Sequence, residues 1–151
     1  MFRGRSYHTI DEKGRISIPT RFRDFLKSTG EDQIMVTNLD GYLLAFPMPL
    51  WEQIEGKLNA QASILKKETQ KFVRFFVGGA EPCSIDKQGR ILVPPALRKY
   101  ARLEKEVTLV GLGNRFEIWN KDGHDQEMAE VESGNYDEGA RAELAECLLS
   151  N

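Results

Sequence analysis

The sequence predicts an α+β fold in which two tandem β modules form one pseudo-two-fold unit with flanking helices. Three observations carry this expectation: an internal repeat, β-prone runs broken by Asp/Gly turns and prolines, and apolar residues at helical spacing. Gly4–Pro19 aligns with Gly79–Pro94 at an offset of 75, and seven of the sixteen pairs are identical: Gly4/Gly79, Ile10/Ile85, Asp11/Asp86, Gly14/Gly89, Arg15/Arg90, Ile16/Ile91 and Pro19/Pro94. Thr9/Ser84 and Ile18/Val93 nearly match, Arg23/Arg98 extends the register, and Ile34–Phe46 then pairs with Val107–Trp119 at an offset of 73. Two copies of Asp-x-x-Gly-Arg-Ile-x-x-Pro in one short chain mark a duplicated module, and two copies at so long a period are not a solenoid array.

Each module reads alike. In the first, Ser6–Ile10 enters a turn at Asp11–Gly14 and Arg15–Ile18 leaves it. Gly14 and Gly89 occupy the place where such a turn closes with positive φ. Pro19 and the pair Pro94-Pro95 end the strand and open a helix. Phe22, Phe25 and Leu26 recur at helical spacing, as do Leu97, Tyr100 and Ala101. A second hairpin follows: Ile34–Thr37, a loop with Asp40-Gly41, then Tyr42–Phe46; its counterpart is Val107–Val110, a loop with Gly113-Asn114, then Arg115–Trp119. Helices are expected over Leu50–Leu58, Ala62–Val77 and Tyr136–Leu149. The expected division is residues 1–75 for the first module with its helices, 76–122 for the second module and 123–151 for an acidic helical tail. Half a chain of this length is marginal as a separate core, so the two halves should bury their apolar faces against each other.

Composition narrows the function classes. The chain has 151 residues, 21 Lys+Arg against 23 Asp+Glu, and 40% apolar residues, the profile of an ordinary folded protein rather than a membrane or secreted one. Two separated cysteines suit a reducing cytoplasm, and two histidines without Cys-x-x-Cys leave a zinc site little to be built from, so neither metal nor cofactor is expected. No nucleophile elbow, Walker A, Rossmann or metalloprotease pattern occurs, His8 falls in a predicted strand, and no enzymatic role is expected.

The charge is segregated. Residues 1–23 hold six basic against two acidic side chains, residues 57–74 and 83–102 five against one each, and residues 122–151 one against nine. A phosphate backbone feels the local patch rather than the net charge. Asp11 and Asp86 stand four residues before Arg15 and Arg90. Such an Asp either caps the turn and pairs the Arg across it or presents the Arg as a fork for a phosphate or guanine, and the two roles are compatible. Asp11, Gly14, Asp86 and Gly89 therefore read as structural turn residues. Arg3, Arg5, Lys13 and Arg21 are matched in the second copy by Gly78, Ala80, Gln88 and Ala96, so the fold does not need them. They become candidates for contacting an external anion, and a flexible basic N-terminus followed by a basic hairpin suits the grooves of double-stranded DNA. The competing reading is a non-enzymatic oligomeric interaction module, antitoxin-like or a scaffold, whose basic patch meets an acidic protein partner.

At Met1-Phe2-Arg3-Gly4, across Asp11–Arg23 and across Asp86–Pro94, the chain closely resembles the MraZ family of bacterial proteins, built from two AbrB-like swapped-hairpin modules. The likeness runs nearly end to end and takes in Leu50-Trp51-Glu52 and Glu106–Gly111. The resemblance implies a cytoplasmic, nucleoid-associated transcription regulator, usually a repressor, that binds short G-rich direct repeats in the promoter of the division and cell-wall gene cluster. It also implies a homo-oligomeric ring of several subunits, with no membrane partner. Carried over, the family's DNA-contacting arm falls on Arg3 and Gly4 and its turn arginines on Arg15 and Arg90. The second copy lacks the flanking arginines, so an equal role for Arg90 is not implied. Subunits repeated around a ring could engage successive sites on one DNA. Trp51, Leu58, Phe72 and Phe76 are candidates either for that interface or for the chain's own core.

Overall fold

In the computed structural model, which describes residues 1–150, the two copies exchange strands. The first copy runs β1 (Phe2–Thr9), β2 (Arg15–Ser17), α1 (Thr20–Ser28), β3 (Gln33–Leu39) and β4 (Tyr42–Pro47). Two helices follow, α2 (Met48–Gln61) and α3 (Lys67–Gly78). The second copy repeats the order as β5 (Glu81–Ser84), β6 (Arg90–Leu92), α4 (Pro95–Ala101), β7 (Glu106–Gly113) and β8 (Phe116–Asn120). The tail holds α5 (Lys121–Glu132) and α6 (Glu138–Leu149). Met1–Lys121 form one compact unit, and a second begins at Asp122.

Six strands make an antiparallel sheet in the order β1-β7-β8-β4-β3-β5, and β2 pairs only with β6. Swapping the two copies leaves that order unchanged, read backwards. Apart from the hairpins β3–β4 and β7–β8, every ladder joins one copy to the other. At the two central ladders the middle residue meets its own repeat equivalent: Ile16 faces Ile91, and Leu44 faces Glu117. The pseudo-two-fold axis passes between these pairs. The fold is thus α+β with two swapped-hairpin modules in one unit.

Several sequence expectations need correction. Pairing across the Asp11–Gly14 turn shrinks to a single bridge between Ile10 and Ile16, because β2 is claimed by β6 and β1 by β7. The N-terminus is not a flexible arm: β1 starts at Phe2 and pairs with β7 along all eight of its residues. Phe2 is fully buried and packs edge-on against Phe22, Phe25 and Phe116 at centroid distances of 5.2, 4.8 and 5.1 Å. Losing that side chain is expected to cost about 3–5 kcal/mol, ample reason for the chain end to stay in the sheet. The helix expected from Ala62 starts at Lys67 instead, after a 3-10 turn at Ala62–Ile64 and an extended Leu65. The Gln70 amide donates to the Ala62 and Leu65 carbonyls and holds this break.

The tail helix expected from Tyr136 begins at Glu138, capped by the Asp137 carboxylate, which accepts from the Ala140 N–H. The preceding α5 had not been expected; its sequence holds Gly123 and no clear apolar period.

The core has two layers. Ile16, Phe22, Leu26, Ile91, Val93 and Leu97 meet one face of the sheet between the repeats. Met35, Leu44, Phe46 and Trp51 form a second cluster, against which Phe76 packs. β3 and β4 therefore bury both faces, which explains their continuous runs Ile-Met-Val and Leu-Leu-Ala-Phe. Trp51 and Phe76 thereby belong to the core, whereas Phe72 stays exposed.

Candidate nucleic-acid interface

Each Asp-x-x-Gly-Arg segment folds into the same tight turn. Asp11 accepts with Oδ1 from the Lys13 and Arg15 backbone N–H groups at 3.0 and 2.8 Å, and with Oδ2 from Arg15 Nε at 2.6 Å. Asp86 repeats this with Gln88 N–H, Arg90 N–H and Arg90 Nε at 2.9, 2.9 and 3.0 Å. Donation from the Arg15 backbone N–H, seconded by its guanidinium and by the Lys13 N–H, brings the Asp11 carboxyl down to about 2. The Asp86 carboxyl is lowered in the same way, chiefly by the Arg90 N–H. Both acids therefore stay ionised and act as turn caps.

The turns are locked from the opposite copy. Gly14 and Gly89 have φ of +93° and +77°. A methyl group at Gly14 would lie 2.5 Å from Arg98 Nε, and one at Gly89 would lie 2.6 Å from Arg23 Nη1. These arginines are in turn held by carbonyls, Arg23 Nε donating to Ile18 and Arg98 Nε to Val93, both at 3.0 Å. The Ile18 N–H donates to the Gly89 carbonyl and the Val93 N–H to that of Gly14. Only a residue without a side chain fits here, in space as well as in φ.

The β2–β6 ribbon sets the turn arginines side by side. Ile16 and Ile91 are fully buried, so alternation puts Arg15, Ser17, Arg90 and Leu92 on the opposite face. Arg15 pairs across the ribbon with Leu92, and Arg90 with Ser17. The arginines are thus diagonal neighbours, roughly 7–8 Å apart at the backbone. Each spends Nε on its aspartate, and among the described residues neither donates a hydrogen bond from Nη1 or Nη2. Their side chains are 33% and 28% exposed. Such open ion pairs add little stability; what they fix is where the fork points.

The remaining candidates gather on β1. Arg3 and Arg5 are exposed there, and Gly4, with φ of +82°, sits opposite Gly111. Arg21 differs from its sequence reading: its Nε donates to the Arg3 carbonyl and its Nη2 to that of Arg5, at 3.1 and 3.3 Å, with the guanidinium lying over the Phe22 ring. It fastens the edge strand while remaining exposed. Lys13 is exposed at the tip of the first turn. The structure brings Arg3, Arg5 and Arg21 together on one strand edge, and Arg15 and Arg90 together on the ribbon. The sequence reading missed the positioning arginines Arg23 and Arg98; their equivalence in the repeat was the available signal. It also missed the outward pair Ser17 and Leu92, which the alternation around Ile16 and Ile91 could have exposed.

The described residues hold no group of three or more His, Cys, Asp or Glu side chains suited to a metal, and no helix long and apolar enough to cross a membrane. Burial, followed by the nearby Glu81 charge, pushes the Cys83 thiol up to about 12, so it stays protonated.

Comparison with known proteins agrees with the duplicated architecture. The model of the family described as "MraZ protein, putative antitoxin-like" matches residues 1–75 and again 76–145. The chain is 45% identical over 150 residues to the transcriptional regulator MraZ of Desulforapulum autotrophicum, covering 99% of this chain and 98% of that protein. It is 49% identical over 122 residues to the protein of the same name from Pelotomaculum thermopropionicum, covering 81% of each. A third such protein, from Syntrophobacter fumaroxidans, is 46% identical over 120 residues, covering 80% of this chain and 79% of its own length.

Proposed function

Because the chain belongs to the MraZ family, we propose that it is a DNA-binding transcriptional regulator that reads its site with the β2–β6 ribbon. The observation carrying this reading is the pair of aspartate-held arginines on one ribbon face, with the Nη atoms left to bind. A two-stranded ribbon fits the major groove, and a guanidinium fork matches guanine O6 and N7. At the backbone spacing above, the two forks would address guanines about two base-pair steps apart, at roughly 3.4 Å per step. Arg3, Arg5 and Lys13 then serve as phosphate contacts, and Gly4 lets the β1 backbone approach the duplex. The reading assigns no catalytic step.

The finer proposal is a repressor acting at short G-rich direct repeats in the promoter of the division and cell-wall genes. Its expected place is the nucleoid, and its expected form a homo-oligomeric ring. The ribbon is only pseudo-symmetric: Ser17 is matched by Leu92 and Lys13 by Gln88. One chain therefore reads a polar, non-palindromic site, which suits direct repeats on the DNA and head-to-tail subunits in the protein. Footprinting the full chain on DNA upstream of its own gene tests this. Protection of regularly spaced G-rich repeats is expected; uniform protection irrespective of sequence would favour the competing reading, an interaction module whose basic patch meets an acidic protein partner.

A further inference from the structure

We infer that helix α6 of one copy docks by its leucine stripe into the groove between α3 and the β3–β4 turn of a second copy. The inference rests on the homo-oligomer reading above. Eleven of the twelve α6 residues are exposed, Leu144 and Leu148 by 61% and 77%. A helix of that length is marginal in water without packing, yet this one has a side-chain cap and Glu138 in its first turn. It is built as a helix whose apolar face has still to be covered.

The groove has the matching character. Phe72 and Phe75, one turn apart on α3, are 61% and 41% exposed. They form a groove of about 460 Å³ with Leu39, Gly41 and Tyr100. Its floor is pre-built: the Phe75 and Tyr100 rings pack at 5.2 Å, and the Tyr100 hydroxyl accepts from the Gly41 N–H at 2.8 Å. Leu144, Leu148, Phe72 and Phe75 are all exposed, and the inferred complement of each face is a second copy.

The two helices carry opposite net charge. α3 carries Lys67, Lys71 and Arg74 against Glu68, while α6 carries Glu138, Glu143 and Glu146 against Arg141. Two acids, Asp40 and Glu68, line the groove itself. Arg141 lies three and four residues before Leu144 and Ala145, on the same helix face, and is placed to answer them. A contact of this kind is head-to-tail, and repetition around a rotation axis closes a ring.

The test is the solution mass of the full chain by sedimentation equilibrium, for the parent and for Leu144→Asp, Phe72→Asp and an equimolar mixture of the two variants. Both sites are exposed, and circular dichroism checks that the variants keep the parent fold. The expected results are an oligomeric parent, monomeric single variants and a two-chain complex in the mixture, where one intact helix meets one intact groove. A parent oligomer that survives Leu144→Asp, or a mixture that stays monomeric, would overturn this interface and leave the oligomer reading standing. A monomeric parent would overturn both.

Discussion

Arg98, from the second copy, lies across Gly14 of the first so closely that a methyl group there would sit 2.5 Å from its Nε. Arg23 and Gly89 repeat the relationship in the other direction. Each Asp-x-x-Gly-Arg turn is therefore shaped by a side chain of the opposite module, and neither module completes its own turn. Because Arg98 Nε is tied to the Val93 carbonyl, it cannot swing away without losing that bond.

Gly14→Ala should accordingly destabilise the fold more than Gly41→Ala does. Gly41 also has positive φ, at +91°, but nothing lies within 4 Å of a side chain added there. Both substitutions carry the backbone strain of a left-handed residue, and the overpacking at Gly14 adds about 1–3 kcal/mol. Urea unfolding of the two variants checks this, and equal midpoints would show that Arg98 yields freely.

Replacing Arg21 by Ala should loosen β1 rather than abolish DNA binding. It removes donors to the Arg3 and Arg5 carbonyls, each worth about 0.5–1.5 kcal/mol. Amide exchange in the first residues of β1 should quicken, while DNA affinity falls less than it does for Arg15→Ala. Unchanged exchange together with a full loss of binding would return Arg21 to the role of a direct contact.

The turn acids set a low-pH limit. Asp11 titrates at about 2 in the folded chain, below its ordinary value of 3.8. A depressed carboxylate stabilises the fold fully above its unfolded pKa, and that contribution is lost as pH falls through the folded one. The turn is thus intact at neutral pH and weakens only between about pH 4 and 2. Carboxyl-carbon NMR should give Asp11 a midpoint near 2 and place Asp86 below the usual aspartate range; an ordinary midpoint for Asp11 would mean that the cap is not formed.

What could be read from the chain, and what could not, follows the range of the interactions. The Asp-x-x-Gly-Arg spacing is local chemistry, so the turns, the positive φ of Gly14 and Gly89 and the Asp–Arg pairs were legible. The repeat itself implied a pseudo-two-fold unit. The exchange of partners was implied by the family resemblance and not by the turn itself, because the same turn serves a local hairpin or a swapped strand, and only the whole sheet decides between them. Phe2 shows why the expected arm became a strand: one apolar residue before Arg3 and Gly4 carries no strand signal, and its burial depends on Phe22 and Phe116. Arg21 misled for the same reason, since an exposed arginine looks like a ligand contact until its two carbonyl acceptors are placed beside it.

The central claim is that Arg15, held by Asp11 on the ribbon, reads DNA. Fluorescence anisotropy of the parent and Arg15→Ala on the upstream DNA, across a salt series, tests it most directly. The account predicts a folded variant whose specific affinity drops by at least about 1–3 kcal/mol, the worth of one bidentate base contact, towards that for unrelated DNA. Equal affinity and equal salt slope for the two proteins would contradict it.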